Sequence, residues 1–136
     1  MFQVIGIDHV VFRVRNLARM VEFWERALGC PVERRQEALG LVHLRVGRTQ
    51  VDLLQAQDGE PVADAGTGNV AHLCLRIEPW DPSALRSHFQ GLGVEATGED
   101  FRFGADGVGP SLYLQDPEGN TIELKGPPAP AEIPKS

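Results

Sequence analysis

The sequence predicts an α+β fold built from one module used twice, and three observations carry that reading. Asp8-His9-Val10-Val11-Phe12-Arg13-Val14 and Ala71-His72-Leu73-Cys74-Leu75-Arg76-Ile77 share one alternation, with a histidine at the second position and an arginine four residues later. Apolar residues at helical spacing follow each, closing on Leu28-Gly29-Cys30-Pro31-Val32-Glu33 and on Leu92-Gly93-Val94-Glu95. Each half then carries an apolar-acid-Leu triplet, Val51-Asp52-Leu53 or Ile122-Glu123-Leu124. Internal self-similarity of this kind outranks any local reading of helix or strand.

Each element has its own signal. Gly6 to Val14 alternates as a strand, placing His9, Val11 and Arg13 on one face and Asp8, Val10 and Phe12 on the other. Asn16 is suited to cap a helix in which Leu17, Met20, Val21, Trp24 and Leu28 recur before Gly29. Val32 to Glu37 reads as a strand, and Gly40 to Val46 and Thr49 to Gln55 as two more, joined at Gly47-Arg48. Gln57 to Asn69 lacks periodicity and reads as a disordered linker between modules spanning about 4–56 and 69–126. Val70 to Ile77 opens the second module as a strand. Asp81 before Pro82 then caps a helix carrying Leu85, His88, Phe89 and Leu92. A glycine-rich excursion, Phe103 to Pro110, leads to a strand Ser111 to Gln115; the turn Asp116-Pro117-Glu118-Gly119-Asn120 joins it to a last strand, Thr121 to Lys125. Residues 127–136, rich in proline, read as a solvated tail. The first helix, with Phe23 and Trp24, either covers its sheet or serves an interface.

Composition narrows the partners. A net charge of -6 and the absence of a basic stripe argue against nucleic acid and anionic membranes. No apolar run approaches the roughly 20 residues of a spanning helix, and the start of the chain lacks a secretory pattern. A cytoplasmic protein with a small-molecule substrate is the expectation. Cys30 and Cys74 are too few for a disulfide scaffold and read as small buried thiols.

The repeat also locates the chemistry. Related by one pseudo-two-fold operation, His9 and His72 and the acids Asp52 and Glu123 would converge as nitrogen and oxygen donors. Two imidazoles with one or two carboxylates suit a borderline divalent cation: zinc, nickel, cobalt, manganese or iron. His43 and His88 have no evident repeat partner and read as surface or helix-face residues. Arg13 and Arg76 share the ligand face, where they either pair with carboxylates or hold an anionic substrate. The loop Gly104 to Gly109 has the composition of a lid.

From about Gly6 to Gly126, with Asp-His-Val at the start, Ala71-His72 in the centre and Asp116-Pro117-Glu118-Gly119-Asn120-Thr121-Ile122-Glu123-Leu124 at the end, the chain resembles the vicinal oxygen chelate superfamily. That superfamily includes glyoxalase I, extradiol dioxygenases, methylmalonyl-CoA epimerase and fosfomycin and bleomycin resistance proteins. The resemblance implies a single domain over residues 1–126 in which paired βαβββ modules form a cup-shaped mixed sheet, and a homodimer. It puts His9, His72 and Glu123 on three metal-ligand positions. Asp52 falls where glyoxalase-type members carry a fourth ligand, usually glutamate, and is one methylene shorter.

A divalent metal chelated by two adjacent substrate oxygens acts as a Lewis acid for proton removal from the neighbouring carbon, with Glu123 or Asp52 as the catalytic base. The first expectation is therefore a glyoxalase I-like lyase or isomerase working through a metal-stabilised enediolate, with Arg13, Arg76 and Tyr113 binding substrate. The alternatives are an Fe(II) extradiol-type dioxygenase and a non-enzymatic, bleomycin-resistance-like binding protein. Basic residues that would line a glutathione site, Arg13, Arg34, Arg35 and Arg102, are scattered.

Overall fold

The computed structural model describes residues 1–64 and 66–129. The chain divides into two units, Met1–Ala63 and Asp64–Ser136, each with a four-stranded sheet of its own. With one main helix apiece, the units give an α+β protein of two mixed sheets. Among the described residues no helix is long and apolar enough to cross a membrane.

In the first unit β1 (His9–Val14) is followed by α1 (Leu17–Arg26), β2 (Val32–Gln36), a 3-10 turn at Glu37–Leu39, β3 (Leu41–Val46) and β4 (Thr49–Gln55). The order across the sheet is β1-β4-β3-β2, with β1 parallel to β4 and the other pairs antiparallel. Asn16 caps α1 as the sequence predicts, its Oδ1 accepting from the Arg19 amide at 3.1 Å. The start of the helix is also fastened by Gln55. Its Oε1 accepts from the Leu17 amide at 3.0 Å, and its Nε2 donates to the Arg15 carbonyl at 2.7 Å. Met20, Val21, Phe23 and Trp24 of α1 are buried, as are Val42, Leu44, Val51 and Leu53 on alternate positions of β3 and β4. Phe23 and Trp24 thus belong to the core of this unit. Strand β1 is shorter than its alternation predicts. The apolar residues before it, Met1, Phe2, Val4, Ile5 and Ile7, are exposed and outside any regular element.

The second unit repeats the plan with β5 (Leu73–Arg76), α2 (Pro82–Gly91), β6 (Thr97–Gly104), β7 (Gly107–Gln115) and β8 (Thr121–Lys125). Its order is β5-β8-β7-β6, with β5 parallel to β8. Asp81 caps α2, its Oδ1 accepting from the Ala84 amide at 3.1 Å. Phe89 is buried, together with Leu112, Leu114, Ile122 and Leu124 from β7 and β8. The glycine-rich excursion is a correction to the sequence reading. Residues 97–104 and 107–115 form an antiparallel pair, so this segment is a β-hairpin with a tight connection at Ala105-Asp106. The turn after β7 is held by Asp116, whose Oδ1 accepts from the amides of Glu118 at 2.8 Å and Asn120 at 2.9 Å. Gly119 completes it at φ 82°, a left-handed conformation that favours glycine. Of the proline-rich tail, residues 130–136 lie outside the described residues. The first part of it pairs instead of standing free, the Ala129 amide donating to the Val108 carbonyl at 2.6 Å.

Candidate functional site

In each unit one face of the sheet carries buried apolar side chains, and the other face carries the polar ones. On that polar face of the second unit Glu123 lies at the centre, with Cys74 opposite it on β5 and Tyr113 opposite it on β7. Only 5% of Glu123 is exposed. Its Oε2 accepts a hydrogen bond from the buried Ser111 hydroxyl at 2.6 Å, and its Oε1 lies 3.1 Å from His72 Nε2. His72 stands just ahead of β5, and the Tyr113 ring meets it edge-on, with centroids 6.4 Å apart. An imidazole nitrogen and a carboxylate oxygen are therefore side by side, the carboxylate aimed by a second hydrogen bond. His72 remains half-exposed, so the pair is open to solvent from the imidazole side.

Cys74 is exposed, a correction to the buried thiol expected there; Cys30 is buried as expected. Desolvation of the sulfur, reinforced by the neighbouring Glu123 carboxylate, pushes the Cys74 thiol up to about 11. It is a thiol, and no ready nucleophile, at neutral pH.

The first unit places its acid by the same register. Asp52 lies opposite Val11 of β1 and opposite His43 of β3. His43 consequently does have a counterpart in the repeat, namely Tyr113, and it is not a surface residue: its side chain is only 13% exposed. Its Nδ1 lies 2.8 Å from Asp52 Oδ1, its Nε2 lies 2.8 Å from the Gln36 amide nitrogen, and Gln50 Nε2 donates to the same Asp52 oxygen at 2.8 Å. Asp52, expected at a fourth ligand position, thus spends its Oδ1 on His43 and Gln50. His9 is opposite Gln50 on the same face and is exposed. Its Nδ1 lies 2.7 Å from Asp8 Oδ1, a hydrogen bond that raises the His9 pKa above its ordinary value.

The two arginines resolve toward pairing. Arg13 lies 3.2 Å from Glu60, and Arg76 contacts Asp106 at 3.2 Å and Glu78 at 2.9 Å. Through Asp106 the arginine reaches the tip of the hairpin that the sequence suggested as a lid. Lys125 was not singled out by the sequence; it is buried, and its Nζ donates to the Gly109 carbonyl at 3.0 Å and to the Arg102 carbonyl. His88 is exposed on α2, as expected.

The candidate donors therefore stand as pairs, and among the described residues no group of three or more His, Cys, Asp or Glu side chains is arranged to hold a metal ion. The His72 and Glu123 pair fits a divalent cation on its own chemistry. It offers one nitrogen and one oxygen donor 3.1 Å apart, a buried acid aimed by Ser111, and the supporting hydrogen bond that metal-binding carboxylates use.

Comparison with known proteins agrees with this architecture. The model of the family described as the glyoxalase/bleomycin resistance protein/dioxygenase superfamily matches residues 8–113. The virulence protein STM3117 of Salmonella typhimurium is 31% identical over 87% of this chain and 81% of its own length. An integron cassette protein from the mobile metagenome of V. cholerae superposes with a TM-score of 0.75 at 28% identity, over 93% of this chain and 98% of that one. The same fold, at 16% identity and a TM-score of 0.67 over 90% of each chain, is found in a point mutant of the fosfomycin resistance protein FosX from Listeria monocytogenes. That protein is complexed with Mn(II) and 1S,2S-dihydroxypropylphosphonic acid.

Proposed function

The chain belongs to the glyoxalase/bleomycin resistance protein/dioxygenase superfamily, and on that premise we propose that it is a divalent-metal-dependent lyase or isomerase of glyoxalase I type, acting on a small substrate with two adjacent oxygens. The observation that carries the reading is the approach of His72 Nε2 to Glu123 Oε1 at 3.1 Å, with Ser111 holding the other carboxylate oxygen. In this reading His72 and Glu123 hold the ion, while in the other unit His9 is a candidate ligand and Asp52, whose carboxylate already serves His43, a candidate base. The ion, of zinc, nickel, cobalt, manganese or iron type, supplies Lewis-acid polarisation of the substrate oxygens.

The residues of this chain do the rest. Asp8 holds His9 by Nδ1, which fixes the tautomer that leaves Nε2 for a ligand bond. Ser111 keeps Glu123 from rotating. Tyr113, opposite Glu123 on β7, offers a hydroxyl to the substrate. Arg13 and Arg76, already paired with carboxylates, fit a supporting role beside an anionic substrate better than a direct one. A homodimer in the cytoplasm completes the proposal. The exposed apolar residues ahead of β1 support the second copy.

Elemental analysis of protein purified without chelator, beside H72A and E123Q, tests the reading. About one ion per chain in the wild type, lost in both variants, is the expected result for a site of this donor set. Iron with ring-cleaving activity on catechols would replace the isomerase by a dioxygenase. A wild-type protein that takes up no divalent metal even on reconstitution sinks the proposal in favour of a ligand-binding protein.

A further inference from the structure

We propose that Lys125 is an anion-binding residue on the polar face of the second unit, and that the substrate carries a carboxylate or phosphoryl group beside its adjacent oxygens. The inference rests on the reading of His72 and Glu123 as the metal-holding pair, and it adds the charge of the molecule that pair would act on. Every residue it uses belongs to the second unit.

Lys125 is only 6% exposed. It stands two residues from Glu123 on β8, so strand alternation puts both on one face of the sheet. Opposite it are Arg76 on β5 and Ser111 on β7. Its ammonium donates to the Gly109 carbonyl at 3.0 Å and to the Arg102 carbonyl, both neutral acceptors. The acids of the same face and hairpin are engaged elsewhere: Asp106 and Glu78 with Arg76, Asp100 with Arg102, and Glu123 with Ser111 and His72. An ammonium has three N–H donors. One of them, and the positive charge itself, is left without an anion among the described residues.

A buried charge without a counter-ion is strongly unfavourable, and packing does not account for this one. Arg102 and Gly109 are already partners in the ladder of β6 and β7, so no lysine is needed to join them. The groove is shaped for the stem: a Cβ at Gly104 would lie 2.8 Å from Lys125 Cε and 3.0 Å from its Cδ. Methionine would fill that groove without the charge. A lysine laid across a glycine, with its ammonium unpaired at the end, is suited to a charge-assisted bond with an anionic oxygen.

The charge also reaches the chemistry of this face. Lys125 acts on the Cys74 thiol against Glu123, lowering what the carboxylate raises. Cys74 is directly opposite Glu123, so a ligand held at Glu123 lies within the same field. Arg76, already paired with two acids, adds no net charge there. The hairpin tip beside Lys125 is held to β5 by the exposed Arg76–Asp106 pair, a contact weak enough to open for a ligand.

The test follows thermal unfolding of the full-length protein as purified, wild type beside K125M, with millimolar sodium phosphate, acetate or chloride at equal ionic strength and metal content measured on the same samples. An anion that binds the folded state raises Tm with its concentration. Phosphate, acetate or both should raise the wild-type Tm more than that of K125M, and which of them does so tells a phosphoryl from a carboxylate group. The apparent affinity should fall on the order of 10- to 100-fold in K125M, as the loss of a hydrogen bond to a charged group implies. Should K125M fail to fold, G104A decides the matter, because its methyl group displaces the lysine stem while the charge stays in the chain. On metal-loaded protein, calorimetric titration should find glycerol 1-phosphate or glycerate binding more tightly than glycerol, and K125M should erase that preference. Equal gains in Tm for the two proteins, or none, overturn the anion site. A preference for the charged diol that survives K125M overturns its link to the substrate. A chain that holds no metal yet binds phosphate through Lys125 removes the metal reading and keeps the anion site.

Discussion

Cys74 and Glu123 face each other across β5 and β8, and the state of one is written into the other. With the thiol pushed up to about 11, the thiolate at pH 8 is on the order of one part in a thousand, so alkylation by iodoacetamide should run about 100-fold slower than at an unperturbed cysteine. The rate should climb roughly tenfold per pH unit until the thiol titrates. E123Q removes the charge and hydrogen bond that add to burial, and it should accelerate the reaction. Peptide mass spectrometry reads both, and a Cys74 that reacts at pH 8 like free cysteine contradicts the geometry. His9 makes a second residue-scale prediction, with a definite sign. Its hydrogen bond to Asp8 raises its pKa above 6.5, the charged ring cannot bind metal, and protons therefore compete. Metal affinity through His9 should be full above the raised pKa and fall as pH drops through it. D8N, lacking the acid that raises His9, should shift that fall to lower pH. Chelator competition across pH 5 to 8 checks this, and identical profiles for wild type and D8N would remove His9 from the ligand set. Ser111 and His43 were both within reach of the sequence. Once Asp116 to Asn120 is read as a turn, counting outward from it sets Tyr113 against Glu123 and Ser111 against Lys125. Counting outward from Gly47-Arg48 sets His43 against Asp52 in the same way. The two halves share no residue type here, because the repeat keeps the position beside the acid and changes what occupies it.

At the scale of elements, caps and turns were legible because they are local. Asn16, Asp81 and the Asp116 turn each act within a few residues of chain. The hairpin of β6 and β7 was missed for the opposite reason: glycines at 104, 107 and 109 read as irregular chain, yet they serve the packing. A side chain at Gly104 would meet Lys125 at 2.8 Å, and one at Gly109 would meet the Pro127 carbonyl oxygen at 2.8 Å. Small residues here let a buried lysine reach the Gly109 carbonyl between strands. The tie between Gln55 and the start of α1 was invisible to periodicity, since it joins residues 38 to 40 positions apart. Gln55→Ala leaves the Leu17 amide without its acceptor and the Arg15 carbonyl without its donor. It should cost roughly 2 kcal/mol in denaturant unfolding with an unchanged slope, and a loss under about 0.5 kcal/mol would mean that water takes over both bonds. Trp24 shows the converse. Its indole nitrogen is buried with no hydrogen-bond partner among the described residues, so Trp24→Phe relieves an unmet donor while it opens a cavity. In the same denaturant titration the net loss should fall well short of the ~3–5 kcal/mol of a Trp→Ala change, and a larger one would show that the nitrogen is in fact satisfied.

Across the whole molecule, one plan appears twice with different polar faces. Both sheets have the same strand order and the same parallel pair at one edge, and both put an acid at the same rung of that pair. Only the neighbours differ: Cys74, Tyr113, Ser111 and His72 about Glu123, and Val11, His43 and Gln50 about Asp52. A duplicated module keeps its core pattern because each helix must cover its sheet, and is free to change the polar face. This is why the fold was legible from sequence in outline while the different partners of the two acids were not. The segment ahead of β1 belongs to this scale as well. Met1, Phe2, Val4, Ile5 and Ile7 are each at least 74% exposed, and β1, which follows them, is the edge strand of its sheet among the described residues. An exposed apolar run of this kind is a place where chains associate, and burying such residues against a second copy would be worth roughly 1.5–3 kcal/mol for each large side chain fully covered. Sedimentation velocity should therefore find a species of about twice the 14.9 kDa chain mass at micromolar concentration, and deletion of residues 1–7 should shift it to the monomer while His9 and β1 stay in place. A wild-type protein that sediments as a single chain at every concentration would overturn the homodimer. A dimer that survives the deletion would move the interface to another surface.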